Sequence, residues 1–361
     1  MSPVRILVDS LADEGLPNAQ MTNAREIVRR LDTARFRVSI FHVNSADRLV
    51  ASRPNTRLIP LPQHRQTVRI FHEFVFGDHH ILFYLKASPA SRWYLHLRRY
   101  VKDHRVVLGT VESQSDLRNE PTIAPEAVKL WERTVLRCDH LFSNSREVQR
   151  SLEKEYGLAS GIVPTGVDTK FFTPRWERAP NPRPRVLFVG SLRPFKGPQV
   201  LLDAAARFPQ ADFVLAGDGV LAPDLRTRIQ NERLGNVALL GAIGAAAVRE
   251  QYQQADVFLF PSRWEGSPKV ILEAAACGLP VVARKNYEPE TVVDGQTGYL
   301  VASDAEISTR LEELLSGADL RRSLGEAGRR HSQRFDWDVI TKQWEAIFER
   351  LVSQKEGGRG H

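Results

Sequence analysis

A chain of 361 residues, 42% hydrophobic and 26% charged, is longer than a single core usually serves, so two domains are expected. Its longest nearly continuous apolar stretch, Val237 to Val248, is too short for a membrane-spanning helix, which needs ~20 residues. The two cysteines, Cys138 and Cys277, are too few for a disulfide framework and lack metal-ligand spacing. The net charge of +7 resides in residues 1–175, which hold 26 Lys+Arg against 19 Asp+Glu. That half either meets something anionic or carries a solvated basic surface.

The first residues run directly into the strand-like VRILV segment, without the charged and apolar regions of a signal peptide, so a cytoplasmic protein is expected. Strand patterns follow at 4–9, 36–43, 80–85, 105–111 and 139–143, with helices near 22–31, 91–102, 124–137 and 145–156. On a helix from Ser91 to Lys102, Trp93, Leu97, Tyr100 and Val101 fall along one stripe beside Arg92, Arg98, Arg99 and Lys102. Such a helix either lies against an anionic membrane interface or packs its stripe in the core with a charged outer face. His79 and His80 have no acidic or thiol partner nearby in sequence and read as a strand-edge pair. The proline-rich APNPRP at 179–184 can neither pair in a central strand nor extend a helix, and reads as an interdomain linker.

The second half alternates more regularly. Apolar runs at 185–190 (RVLFVG), 211–217, 237–241, 256–262 and 279–284 alternate with helical patterns at 198–208, 223–234, 245–255 and 268–277. Continuous apolar strands separated by helices predict a doubly wound parallel sheet covered on both faces. Asp336 stands before a final helix at 339–351 as an N-cap, and the terminal EGGRGH reads as a flexible tail.

In such a sheet ligands bind beyond the carboxyl ends of the strands. The loop after the first of these strands, S-L-R-P-F-K-G, offers Gly190 for the turn and Arg193 and Lys196 as paired cations. They suit a diphosphate, or else form a solvated basic loop. The loop R-W-E-G-S-P places Glu265, Gly266 and Ser267 ahead of Pro268, a residue type favoured at a helix start, so its free amides make an anion site. Glu273 lies among Val270, Ile271, Leu272 and Ala274. It either accepts hydrogen bonds from a ligand hydroxyl or sits on a solvated face.

The E-x7-E pattern from Glu265 to Glu273, followed by A-C-G-L-P-V-V at 276–282, resembles the donor-site signature of family 4 glycosyltransferases of the GT-B fold. Agreement continues with G-x-L-x-x-x-K-G at 190–197, L-A-G-D-G at 215–219, A-D-V-F-L-F-P-S at 255–262 and V-D-G-x-T-G-Y-L-V at 293–301. Val163 to Asp168 and Arg334 to Trp337 also match, so the resemblance covers about residues 140–345.

The resemblance implies two Rossmann-like doubly wound domains facing across a cleft. Residues 1–170 would form the acceptor domain, 171–338 the nucleotide-sugar domain, and 339–361 a helix returning to the first domain plus the tail. It implies transfer of a sugar, with retention of configuration, from a UDP- or GDP-sugar to a glycan or lipid-linked acceptor. No metal, cofactor or nucleic acid is implied, and contact with the inner face of a membrane would run through Ser91 to Lys102. Glu273 would hold the ribose and Glu265 the transferred sugar, as a catalytic residue. Arg193 and Lys196 would hold the diphosphate, with Gly190, Gly266, Ser267 and Pro268 completing the donor site.

Three positions depart from the family pattern. Ser191 replaces an arginine, Asn286-Tyr287-Glu288 replaces the usual Gly-Gly, and Glu112 stands where many members place a histidine. Glu112 either takes the acceptor's proton or is an N-cap or a surface residue. A sugar-nucleotide epimerase of the same architecture and a non-catalytic subunit keeping the donor fold are the alternative functions.

Overall fold

The computed structural model describes residues 2–14, 19–112 and 124–357. They form two units, 1–164 with 337–361, and 165–336. The end of the expected flexible tail, 358–361, lies outside the described residues.

In the first unit β1 (Val4–Leu11), α1 (Ala19–Arg30), β2 (Phe36–His42), α2 (Arg48–Ala51), β3 (Thr56–Pro60), α3 (Gln66–Phe76), β4 (Ile81–Phe83) and α4 (Pro89–Leu97) follow one another. They lead to β5 (Val106–Val111), α5 (Pro125–Glu132), β6 (His140–Ser143), α6 (Arg146–Tyr156) and β7 (Gly161–Ile162). The strands pair in parallel in the order β3-β2-β1-β4-β5-β6-β7. Alternation along β1 sends Ile6 and Val8 into one buried cluster and Leu7 into another on the opposite face. Covered on both faces, the sheet has the order of a doubly wound fold.

Three readings of this half change. β3 and α3 were not expected: β3 is a five-residue edge strand ending in a proline, and α3 opens after Arg65 with no side-chain cap to mark its start. α4 ends at Leu97 instead of Lys102. The Arg98 side chain leaves the basic stripe: Nη2 donates to Asp139 Oδ2 (3.1 Å) and to the Arg105 carbonyl, and Nε lies 3.3 Å from Asp103. His79 does have an acidic partner, since its Nε2 lies 3.0 Å from Glu73 Oε1 in a buried pair. Burial, reinforced by Arg57 and Arg105, pushes the imidazole down to about 4, so it is neutral there at physiological pH.

The second unit runs β8 (Arg185–Val189), α7 (Gln199–Arg207), β9 (Asp212–Ala216), α8 (Ala222–Asn231), β10 (Val237–Gly241), α9 (Ala245–Gln254) and β11 (Val257–Phe260). Then come α10 (Lys269–Ala276), β12 (Val281–Arg284), β13 (Gly298–Val301), α11 (Asp304–Ser316) and α12 (Ala318–Ser332). The parallel order is β10-β9-β8-β11-β12-β13. VALLG, expected to be buried on both faces, is the edge strand β10, and its side chains alternate between half-buried and exposed.

The segment after β7 joins this second unit. Val167 N donates to the Phe335 carbonyl (2.9 Å) and Thr169 N to Asp336 Oδ2 (3.1 Å), so the division falls at 164/165 instead of 170/171. APNPRP is internal to the unit and is no linker. Asn181 Nδ2 donates to Asp256 Oδ2 (2.7 Å) and to the Gln254 carbonyl (2.8 Å), which pins the prolines against the end of α9.

The last helix, α13 (Trp337–Gly357), packs on the first unit. Trp344 lies between Phe83 (4.7 Å between ring centroids) and Phe142 (5.0 Å), and Phe348 also meets Phe83, at 5.0 Å. Arg30 bonds Asp338 (3.0 Å) and Arg35 bonds Glu345 (3.0 Å) at its rim. Truncating a buried Trp of this kind costs about 3–5 kcal/mol. Trp344→Ala is therefore expected to lower the denaturant midpoint of the first unit strongly, as followed by chemical denaturation, while a control change at exposed Val339 leaves it within error. No helix of the described residues is long and apolar enough to cross a membrane.

Candidate functional site: the loops after β8 and β11 and the edge of the first sheet

β8 and β11 are neighbours at the point where the strand order of the second unit reverses. In sheets of this kind ligands bind outside the carboxyl ends of the strands at such a reversal. That adjacency brings together two residues 69 positions apart: the Lys196 ammonium forms an ion pair with Glu265 Oε1. Ser262 Oγ donates to the same oxygen at 2.6 Å. Stacked Phe195 and Trp264 rings, 5.7 Å apart and 11° from parallel, and the Arg263 N to Phe195 carbonyl bond (2.8 Å) lock the two loops together. Lys196 Nζ also lies over the Phe195 and Phe260 rings, at 5.1 and 5.3 Å.

Gly190 ends β8 beneath this pair. The Gly217 Cα, at φ +146°, comes so close to it that an added Cβ would lie 1.9 Å from the Gly190 carbonyl oxygen, which is why position 217 needs glycine. Arg193 is exposed at the start of the short 3-10 turn Pro194–Lys196. Gly266, Ser267 and Pro268 lead into α10, whose first turn has no side-chain cap. The opening amides of such a helix, with its dipole, favour an anion.

Glu273, in the middle of α10, is half-buried and is not on a solvated face. Its Oε2 accepts from the hydroxyl of fully buried Tyr252 on α9 at 3.1 Å. Burial raises its carboxyl, against the opposing effects of Lys269 and Tyr252. Tyr252 escaped the sequence reading because it lies in another helix, 21 positions away. The neighbouring Cys277 thiol is pushed up to about 12 by burial, as expected of an inert helix cysteine.

The segment that replaces the usual glycines folds as a turn in which Glu288 takes φ +40°, a left-handed conformation costly for a side chain. It buries Tyr287 to 2% exposure. The Tyr287 hydroxyl has no hydrogen-bond partner among the described residues, and its phenol is raised by burial and then by Glu265. A buried hydroxyl left open next to the carboxylate is a feature that the sequence marked only as a departure. His331 bonds the Glu290 carbonyl through Nε2 at 3.0 Å.

The first unit has its own polar edge. Glu112 follows β5 and is half-buried, with Oε1 accepting from Asn23 Nδ2 on α1 at 3.0 Å. Tyr84, at φ +60°, stands beside both, and its phenol is raised by burial and by Glu112. Asp9 accepts from Lys86 N (2.8 Å), and burial pushes it up to about 6. Ser10 Oγ and Thr110 Oγ1, buried near the same carboxyl ends, have no partner among the described residues. The residues after Glu112, on which its reading as an N-cap depends, lie outside the described residues.

A family model described as glycosyl transferases group 1 matches residues 171–331. The chain is 32% identical over 263 residues to a D-inositol 3-phosphate glycosyltransferase of Corynebacterium aurimucosum, covering 65% of this chain and 62% of that protein. It is 35% identical over 258 residues to the protein of the same name in Geodermatophilus obscurus, covering 62% and 56%. The chain thus spans less than two thirds of the length of these relatives. Among solved structures, sucrose-phosphate synthase from Thermosynechococcus elongatus shares the fold with a TM-score of 0.80 at 20% identity, covering 98% of this chain and 100% of that one. HepE of Anabaena, in complex with UDP and glucose, shares it with a TM-score of 0.73 at 19% identity, covering 96% and 99%. Residues 171–331 thus match the group 1 glycosyl transferases, and the two doubly wound units share the GT-B fold of the solved glycosyltransferases.

Proposed function

We propose that the chain transfers a sugar from a UDP- or GDP-sugar to a hydroxyl of a glycan or lipid-linked acceptor, retaining the anomeric configuration and using no metal. The observation that carries this reading is the pairing of Lys196 with Glu265 beside the open helix terminus of α10. A departing diphosphate needs cations and backbone amides where its charge grows, and an oxocarbenium-like sugar needs a carboxylate close by. Lys196, Arg193 and the α10 amides serve the diphosphate. Gly190 and Gly266 let the backbone approach it, and Ser267 and Pro268 start the helix.

Glu273, fixed by Tyr252, serves the ribose, and Glu265 the transferred sugar, with the open Tyr287 hydroxyl as a second donor to that sugar. Glu112, oriented by Asn23 and Tyr84, takes the acceptor's proton. The basic character of residues 1–175 suits an anionic acceptor, in keeping with relatives named for an inositol phosphate.

The test is to incubate the purified chain with UDP- and GDP-sugars and candidate acceptors, with a chelator present, and to follow nucleoside diphosphate release and product anomers by NMR. Release coupled to a new glycoside of unchanged configuration is expected. Conversion of the donor into another sugar nucleotide without transfer would establish the epimerase instead. Donor binding with no turnover would establish the non-catalytic subunit.

A further inference from the structure

We propose that α3, α4 and the turn that follows them form a face that docks on an anionic lipid bilayer. This inference concerns the first unit alone and does not depend on the donor assignments. Of the eleven large apolar side chains exposed among the described residues, Val68, Phe76, Trp93, Tyr100 and Val101 all lie between positions 68 and 101. Phe76 is 72% exposed, Tyr100 75% and Trp93 42%. They are not scattered. Phe71 and Trp93 meet edge to face at 5.8 Å and join the two helices into one surface. His72 packs beside Phe76 (4.9 Å) and His96 beside Tyr100 (5.4 Å), which continues the aromatic cover along each helix. Exposed apolar side chains gathered on two adjoining helices and the turn after them mark an interaction site.

Charge decides which partner it fits. Residues 61–102 hold seven Lys and Arg against two acids, Glu73 and Asp78. Glu73 is buried against Arg57 and His79, and Asp78 is paired with Arg5 (2.9 Å). Asp103, next along the chain, is held by Arg98 and Arg105. The nearby acids are thus already matched, while Arg92, Arg99 and Lys102 are exposed around the aromatic residues. Aromatic and aliphatic side chains at the level of lipid headgroups, rimmed by cations that meet the negative surface potential, are the composition of an interfacial helix pair. A polyphosphate has no use for the exposed rings, and an apolar protein partner has none for the rim of cations.

Co-sedimentation of the full chain with phosphatidylcholine vesicles, with and without phosphatidylglycerol, tests this. Binding to the anionic vesicles is expected to be about tenfold tighter or more, and to fall as salt rises. Arg92→Glu/Arg99→Glu/Lys102→Glu and Phe76→Ser/Trp93→Ser/Tyr100→Ser should each weaken it about tenfold or more. Leu240→Ser, at an exposed edge of the other unit, should not. Thermal unfolding checks that the variants are folded, and nucleoside diphosphate binding, expected to be unchanged in both triple variants, reports separately on the donor reading. Absence of binding to the anionic vesicles at low salt, or equal binding to neutral ones, overturns the proposal. So does lipid-free self-association, seen by light scattering, that the aromatic triple variant abolishes, because the face would then be an interface between copies.

Discussion

Replacing Lys196 by alanine is expected to lower kcat/KM by at least tenfold while leaving the fold intact. The Lys196 ammonium is fixed by its ion pair with Glu265 and by the Phe195 and Phe260 rings beneath it, so it reaches a bound diphosphate with little side-chain entropy still to lose. A charge-assisted bond of this kind contributes about 1.5–3 kcal/mol, a factor of roughly 10 to 150 in rate. Because the pair shares one partly buried location, removing the cation also leaves Glu265 without its partner. The costs of Lys196→Ala and Glu265→Gln should therefore not add, and the double variant should fall well short of their product. Initial rates on the two single variants and the double variant measure this. A parental kcat/KM for Lys196→Ala, in a protein whose thermal midpoint is unchanged, removes the diphosphate role. Strict additivity removes the coupling.

Glu265→Gln and Glu273→Gln are expected to fail in different parameters. Glu273 bonds Tyr252 through one carboxylate oxygen, which in the proposed site leaves the other for the ribose. The ribose is the same in ground and transition states, so losing its partner appears in KM and in the Kd of the free nucleoside diphosphate, each weakened by about tenfold, with kcat nearly unchanged. Tyr252→Phe, which frees the carboxylate to turn, should follow the same pattern more weakly. In the proposed site Glu265 meets the sugar, where positive charge develops as the bond to the diphosphate breaks. Its replacement should lower kcat by an order of magnitude or more, the scale of a few kcal/mol of lost transition-state stabilisation. Free nucleoside diphosphate should bind as before or somewhat more tightly, since Lys196 is released from its partner. Calorimetry with the nucleoside diphosphate, together with initial rates, decides between the two roles. The same profile from both variants, or exchanged profiles, rejects the assignment.

The sequence by itself determined the alternation of strands and helices between 185 and 284, because strands covered on both faces must be apolar along their whole length and so stand out from the helices between them. It also marked the two loops proposed to meet the donor, which follow directly from strand ends and carry local signals: Gly190 after β8, Pro268 at a helix start, two glutamates at fixed spacing. What only the tertiary structure decided are matters of long-range adjacency. Lys196 meets Glu265, and Glu273 meets Tyr252, because of the order in which parallel strands and their helices are laid down, and hydrophobic periodicity carries no record of that order. The same holds for Arg98, whose charge resembled a surface charge until Asp103 and Asp139 proved to surround it. It holds for α3 as well, which opens after Arg65 without a capping side chain to mark it and is placed by its packing against α4.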